Sequence, residues 1–170
     1  LGQALVSMDY DVKVSEVHGM SQRGGSVVTY VRYGDEVHSP IVDLGQADYM
    51  LAFEPLEAAR YLPYLKKDGV IITNTRETMP MPVITGAAAY PENIVEKLKA
   101  RANVVALDAM QLALEAGNAK AVNMVLMGVL ASRMDLSEDV WQAALAKQVP
   151  AKFLELNRRA FALGQAQKGV

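Results

Sequence analysis

Between residues 48 and 107, three short apolar runs alternate with two stretches of helical periodicity, and that alternation leaves the chain few folds to choose from. The runs are residues 48–53 (Asp-Tyr-Met-Leu-Ala-Phe), 70–74 (Val-Ile-Ile-Thr-Asn) and 103–107 (Asn-Val-Val-Ala-Leu), each of buried-strand type. Residues 55–67 and 91–102 between them read as helices, with Pro55 suited to a first helical turn and Gly69 as a helix stop. Strands joined through helices pair in parallel, with right-handed crossovers.

The flanks extend this unit. Residues 11–16 alternate polar and apolar side chains as a strand does, and residues 26–33 are rich in β-branched and aromatic strand formers. Gly34 and Asp35 then punctuate the chain, and residues 36–42 resume an extended pattern around Pro40. The pattern predicts a hairpin of 26–33 with 36–42, the second strand near an edge. Residues 1–8 read as the tail of an amphipathic helix. From Asp108 onward the periodicity is helical over 108–116, closed by Gly117, then over 119–134, 137–148 and 151 to about 166. Ser137 is placed to cap the third of these, with Glu138 and Asp139 in its first turn, and Pro150 separates the last two. The expected fold is a doubly wound, three-layer α/β/α sheet, mostly parallel, with an added hairpin and a helical C-terminal third. No linker divides the 170 residues, so residues 1–170 read as a single domain.

Composition removes several classes of function. Seventeen basic residues against nineteen acidic ones, without a basic run interleaved with aromatics, argue against a nucleic-acid partner. With no cysteine, the chain has no disulfide and no thiolate for zinc or an iron–sulfur cluster. Its two histidines, His18 and His38, are too far apart in sequence to form a helical zinc pair. The longest apolar run, residues 121–131, is too short to cross a bilayer and reads as a buried helix. No leader pattern opens the chain, so the expected location is the cytoplasm and no membrane partner is expected. Neither the Gly-x-Gly-x-x-Gly dinucleotide turn nor the Gly-x-Ser-x-Gly hydrolase elbow is present.

What remains points to binding. Gly24 and Gly25 lie between two strands, where positive φ would turn successive N–H groups into an anion-binding nest, with Arg23 adding a charged fork; equally, the pair makes a tight turn and Arg23 pairs with Glu16. Glu54 and Asn74 stand at carboxyl ends of neighbouring strands, where open α/β sheets place ligand groups, or else they cap a helix and close a turn. His18 suits either acid–base chemistry or an interface. Met20, Tyr61 and Tyr64 offer adhesive surface, and Gly128 would let another backbone approach its helix closely.

Together, residues 16–28 (Glu-Val-His-Gly-Met-Ser-Gln-Arg-Gly-Gly-Ser-Val-Val), Arg32, Ser39-Pro40, Ala47-Asp48, residues 54–58 (Glu-Pro-Leu-Glu-Ala), Asn74, residues 119–123 (Ala-Lys-Ala-Val-Asn) and residues 157–164 resemble the gamma-type component of the 2-oxoacid:ferredoxin oxidoreductases. The likeness is greatest to the branch of indolepyruvate ferredoxin oxidoreductase beta subunits, and it covers nearly the whole chain.

The resemblance implies a role in anaerobic metabolism. Thiamine diphosphate attacks a 2-oxoacid carbonyl, carbon dioxide leaves, clusters take two single electrons for ferredoxin, and coenzyme A accepts the acyl group. Thiamine diphosphate, magnesium and the iron–sulfur clusters are then held by partner subunits, and this chain alone holds no cofactor. The thiamine signature of Gly-Asp-Gly with a downstream Asn-Asn is absent, Gly34-Asp35-Glu36 being a partial echo. The resemblance also implies a strand and a glycine-rich turn ahead of the residue 1–8 helix, neither of which is in this sequence. On this reading Gln22, Arg23, Gly24, Gly25 and Ser26 contact the substrate or coenzyme A entrance or the thiamine-binding subunit, with Glu54 and Asn74 as further candidates. No residue is assigned as catalytic. The alternative class is a stand-alone nucleotide or coenzyme A binding module.

Overall fold

The computed structural model describes residues 1–18 and 27–167. At its centre is a parallel three-stranded sheet in the order β3 (Ala47–Ala52), β4 (Leu65–Asn74), β5 (Asn103–Leu107). Its strands are the apolar runs of the sequence, and their period of two feeds both faces. Ile71 joins Ala52, Ala58, Ile94 and Leu98 under helices α2 (Pro55–Tyr61) and α4 (Ile94–Lys99). Its neighbour Ile72 points the other way, into a core built with Val105, Leu107 and the apolar faces of α5 (Ala109–Ala116), α6 (Val122–Ala131) and α8 (Ala151–Gln165). Helices on both faces make the three layers expected.

Two helices complete the C-terminal third. Trp141 and Leu145 of α7 (Glu138–Gln148) and Phe161 of α8 form a third cluster with Ala4 of the short N-terminal α1 (Gly2–Val6). Helices α6 and α8 cross in close backbone contact. A Cβ on Gly128 would lie 2.0 Å from the Phe161 carbonyl oxygen, and one on Gly164 would lie 2.0 Å from that of Val125. Only glycine permits this approach, as the sequence suggested for Gly128. Among the described residues, no helix is long and apolar enough to cross a membrane.

Four expectations about local structure need correction. The helix after Pro55 ends at Tyr61, because Pro63 turns the chain through a 3-10 turn (Leu62–Tyr64) and β4 begins at Leu65. Gly69 is therefore no helix stop. It sits where the β3–β4 register shifts between Ala47 and Tyr49, and its Cβ would meet the Leu65 side chain at 2.8 Å and the Ala47 carbonyl at 2.9 Å. Residues 36–42 do not form a strand: Arg32 donates from its guanidinium to the carbonyls of Ser39 (3.1 Å) and Ile41 (3.0 Å), holding the segment as a side-chain-bound loop. The hairpin instead pairs β1 (Asp11–His18) with β2 (Val27–Gly34), antiparallel from Asp11↔Gly34 to His18↔Val27. Ser137 occupies the N-cap position of α7 but makes no side-chain capping bond.

Candidate functional site

The carboxyl edge of the parallel sheet carries one polar side chain at each strand end, and each turns back onto a helix start. After β3, Glu54 adopts an extended conformation (φ −157°, ψ 137°), and its Oε2 accepts the N–H of Glu57 at 3.0 Å in the first turn of α2. After β5, Asp108 Oδ1 accepts the N–H of Gln111 at 2.8 Å. Between them, Asn74 at the end of β4 reaches over to the same helix α5 and accepts the N–H of Ala109 on Oδ1 at 3.1 Å. Helix starts present unpaired N–H groups and a positive dipole end, so acceptors at these points stabilise the helices and tie them to the strands.

Glu54 and Asn74 are both inside the molecule, 8% and 3% exposed. The second oxygen of Glu54 accepts the hydroxyl of Tyr90, a residue no local sequence pattern singled out. Burial and the Glu54 carboxylate hold the Tyr90 phenol protonated well above the usual tyrosine range. Through this bond the excursion of residues 75–93, which leaves the sheet at Asn74 and contains the short helix α3 (Met81–Ile84), returns across the end of β3. That excursion and the strand end beneath it display Phe53, Met79, Met81 and Ile84 to solvent. The capping role weighed for Glu54 is thus realised, whereas Asn74, weighed as closing a turn, instead accepts the first N–H of α5. Two open hollows on the surface lie elsewhere, one between α1 and the Val12 and Val14 side chains of β1, the other beside Tyr49 and Lys66 at the amino ends of β3 and β4.

The other candidates belong to the hairpin. Gln22, Arg23, Gly24, Gly25 and Ser26, and with them Met20, lie outside the described residues. Among the described residues, the hairpin is fastened to the body by aromatic packing. Tyr30 of β2 packs on Tyr64 (ring centroids 6.4 Å apart), and Tyr64 packs on Tyr61 (5.7 Å), so these tyrosines, read from sequence as adhesive surface, are half-buried and fasten the hairpin to the body. Beyond that anchor, Val17 and Val27 are 53% and 58% exposed, and His18 is exposed beside Val27. Lys120 and Asn123, at the start of α6, are exposed, with Asn118 Oδ1 accepting the Lys120 N–H at 2.9 Å.

Iron–sulfur clusters require thiolate ligands, and a chain without cysteine does not fit them. Among the described residues no three His, Cys, Asp or Glu side chains group to hold a metal ion. The arrangement is one of buried carboxyl-edge anchors and a hairpin whose outer valines are exposed.

Residues 1–167 match the pyruvate ferredoxin/flavodoxin oxidoreductase family, and the chain belongs to that family. Among curated relatives, it is 45% identical over 171 residues to indolepyruvate oxidoreductase subunit IorB of Thermococcus kodakarensis, spanning 96% of this chain and 84% of that one. The IorB subunit of Methanothermobacter thermautotrophicus is 38% identical over 166 residues, spanning 95% of this chain and 84% of the relative. The fold is that of the gamma subunit of a keto/oxoacid ferredoxin oxidoreductase from Geobacter sulfurreducens, with a TM-score of 0.68 and 22% identity over 98% of this chain and 85% of the other. It also matches, with a TM-score of 0.66, 19% identity and 97% coverage of this chain, 27% of a chain of the 2-oxoglutarate:ferredoxin oxidoreductase of Magnetococcus marinus. The same fold thus occurs both as a subunit and as a segment of a much longer polypeptide.

Proposed function

We propose that this chain is the non-redox subunit of a thiamine-dependent indolepyruvate or arylpyruvate ferredoxin oxidoreductase, an assembly that oxidatively decarboxylates a 2-oxoacid to acyl-coenzyme A with ferredoxin as acceptor. Thiamine diphosphate, when bound by the large subunit, supplies the carbanion chemistry. This chain docks on that subunit and shapes the entrance for substrate or coenzyme A. Gln22, Arg23, Gly24, Gly25 and Ser26 carry the contact, while Glu54 and Asn74 hold the carboxyl edge in register behind it. The isolated chain is inactive and works in the cytoplasm beside the iron–sulfur subunit. The observation that supports the reading is the hairpin itself: at its described outer end Val17 and Val27 face solvent. The subunit names of the relatives point the same way.

Co-expression with the candidate large subunit tests this, with arylpyruvate-dependent dye reduction measured with and without coenzyme A. The expected result is a stable complex whose coenzyme A-dependent turnover requires this chain. A large subunit that is fully active alone and never binds the chain contradicts it, as does tight binding of an adenine nucleotide by the isolated chain in calorimetry. Within the complex, Arg23→Ala is expected to leave folding intact, by circular dichroism, while weakening assembly or turnover. Wild-type assembly and rate in that variant return Arg23 to a structural role.

A further inference from the structure

The crossover from β4 to β5 carries more chain than its helix α4 uses: residues 75–93 precede α4, and none of them is buried. The segment is held where it leaves the sheet and where it returns. At its start the Thr75 N–H donates to the Leu107 carbonyl at 2.9 Å; at its end Tyr90 packs against the core under α2 and α4, its hydroxyl on Glu54. Because Ala52 of β3 stands level with Thr73 of β4, the two anchors lie at the ends of adjacent strands. Residues 76–89 between them form a loop with close ends, of the Ω type. Between its anchors this loop bonds to itself. The N–H groups of Val83, Ile84, Thr85, Gly86 and Ala88 donate to carbonyls of residues 80–83 at 2.9–3.1 Å, and the Thr85 hydroxyl adds a bond to the Met81 carbonyl at 3.0 Å. With φ fixed at Pro80 and Pro82, residues 80–88 make a stiff unit. Among the described residues, no hydrogen bond ties residues 76–89 to the rest of the chain, and none of their side chains enters the three hydrophobic cores.

Loops of this type ordinarily pack on their own side chains. Here Met81 and Ile84 are 66% and 64% exposed, and Phe53, next in the chain to the Glu54 that holds Tyr90, is 57% exposed. A stiff apolar unit on two anchors, beside an exposed ring at one of them, gains by closing onto that ring, since closure takes apolar surface out of water. We propose that residues 76–89 are a lid of the carboxyl edge, which swings as one unit between the open position of this structure and a closed position in which Met81 and Ile84 lie against Phe53. The closed lid covers the strand ends that carry Glu54 and Asn74, the edge at which open α/β sheets hold their ligands. The motion needs no partner, so it stands or falls apart from the docking role of the hairpin.

The absence of cysteine from the chain lets spin labels be placed singly and gives the test. In the full chain, Ala87→Cys on the lid and Lys99→Cys at the end of α4 are labelled, both positions being exposed, and their separation is measured by double electron–electron resonance. Leu114→Cys on α5, paired with the same Lys99→Cys, serves as the reference within the body. The lid pair is expected to show two separations and the body pair one. Phe53→Ser removes the ring onto which the lid closes. It is expected to shift the ratio of the two populations about tenfold or more toward the open separation. Its melting temperature is expected to stay at the wild-type value, because Phe53 joins none of the cores. A single separation for the lid pair, as narrow as that of the body pair, overturns the motion. Two populations whose ratio ignores Phe53→Ser overturn the closing contact, and with it the proposal.

Discussion

The α6–α8 crossing and the β1–β2 hairpin are both places where backbone meets backbone, and they are built on opposite terms. At the crossing, Gly128 and Gly164 remove every side chain from between two helices, so that carbonyl oxygens occupy the positions a Cβ would take, and Val125 and Phe161 around them are fully buried. In the hairpin, the outer valines stay exposed, and the described contacts that hold it to the body are the Tyr30–Tyr64 packing, α1 against Val12 and Val14, and the Val37 N–H on Asp11 Oδ2. Close packing of this kind fixes one structure and tolerates no added volume. An open arm contributes little to the fold and keeps its free energy for association. On the function proposed, stability and recognition fall to different parts of the chain, and substitutions in each should separate them.

The largest effect is expected at the crossing. Gly128→Ala gains about 1 kcal/mol of helix propensity but forces α6 and α8 apart, for a net loss of at least about 3 kcal/mol in urea unfolding. An unchanged midpoint would break the contrast at its stable end. Next is Asn74→Ala, which leaves the buried N–H of Ala109 without its acceptor and is expected to lose about 1–3 kcal/mol.

Tyr90→Phe is smaller, about 1 kcal/mol at neutral pH, because it removes one hydroxyl from Glu54 and keeps the ring. It also has a pH signature. The folded phenol titrates above its unfolded value near 10, so its contribution is complete below that pH and is lost as the pH rises beyond it. Thermal melts of the wild type should fall above pH 10 more steeply than those of the variant. Parallel curves would remove Tyr90 as the clasp of the residue 75–93 excursion.

How much of this was legible from sequence follows the range of the forces involved. Residues 48–53 and 103–107 declared themselves as strands because burial on both faces needs only local apolar composition. Gly117 declared the end of α5 because its backbone takes φ 120°, where glycine is favoured. The close approach at Gly128 was readable as a gap in a greasy helix, although its partner Gly164 was not. Where local signals misled, a contact distant in sequence had overridden them. Residues 65–67, Leu-Lys-Lys, look like a helix tail, yet Leu65 pairs with Ala47 and Lys66 reaches Asp48 at 2.5 Å, which draws them into β4. Residues 36–42 look extended, yet Arg32 claims their carbonyls. The hairpin partner of β2 was missed because eight residues, 19–26, separate the strands in sequence, too many for a two-residue turn signature to link them. At the carboxyl edge, Glu54 and Asn74 were placed correctly on strand ends. Tyr90 was invisible because its bond to Glu54 spans 36 positions.

The smallest expected change in stability is at Val27→Glu, within about 0.5 kcal/mol, because the side chain is already exposed. The same substitution tests the division of labour most directly when the dissociation constant of the complex with the large subunit is measured beside the melting temperature of the free chain. The arm account predicts an unchanged melting temperature with binding weakened about tenfold or more. Wild-type affinity in that variant would contradict it and move recognition away from the hairpin.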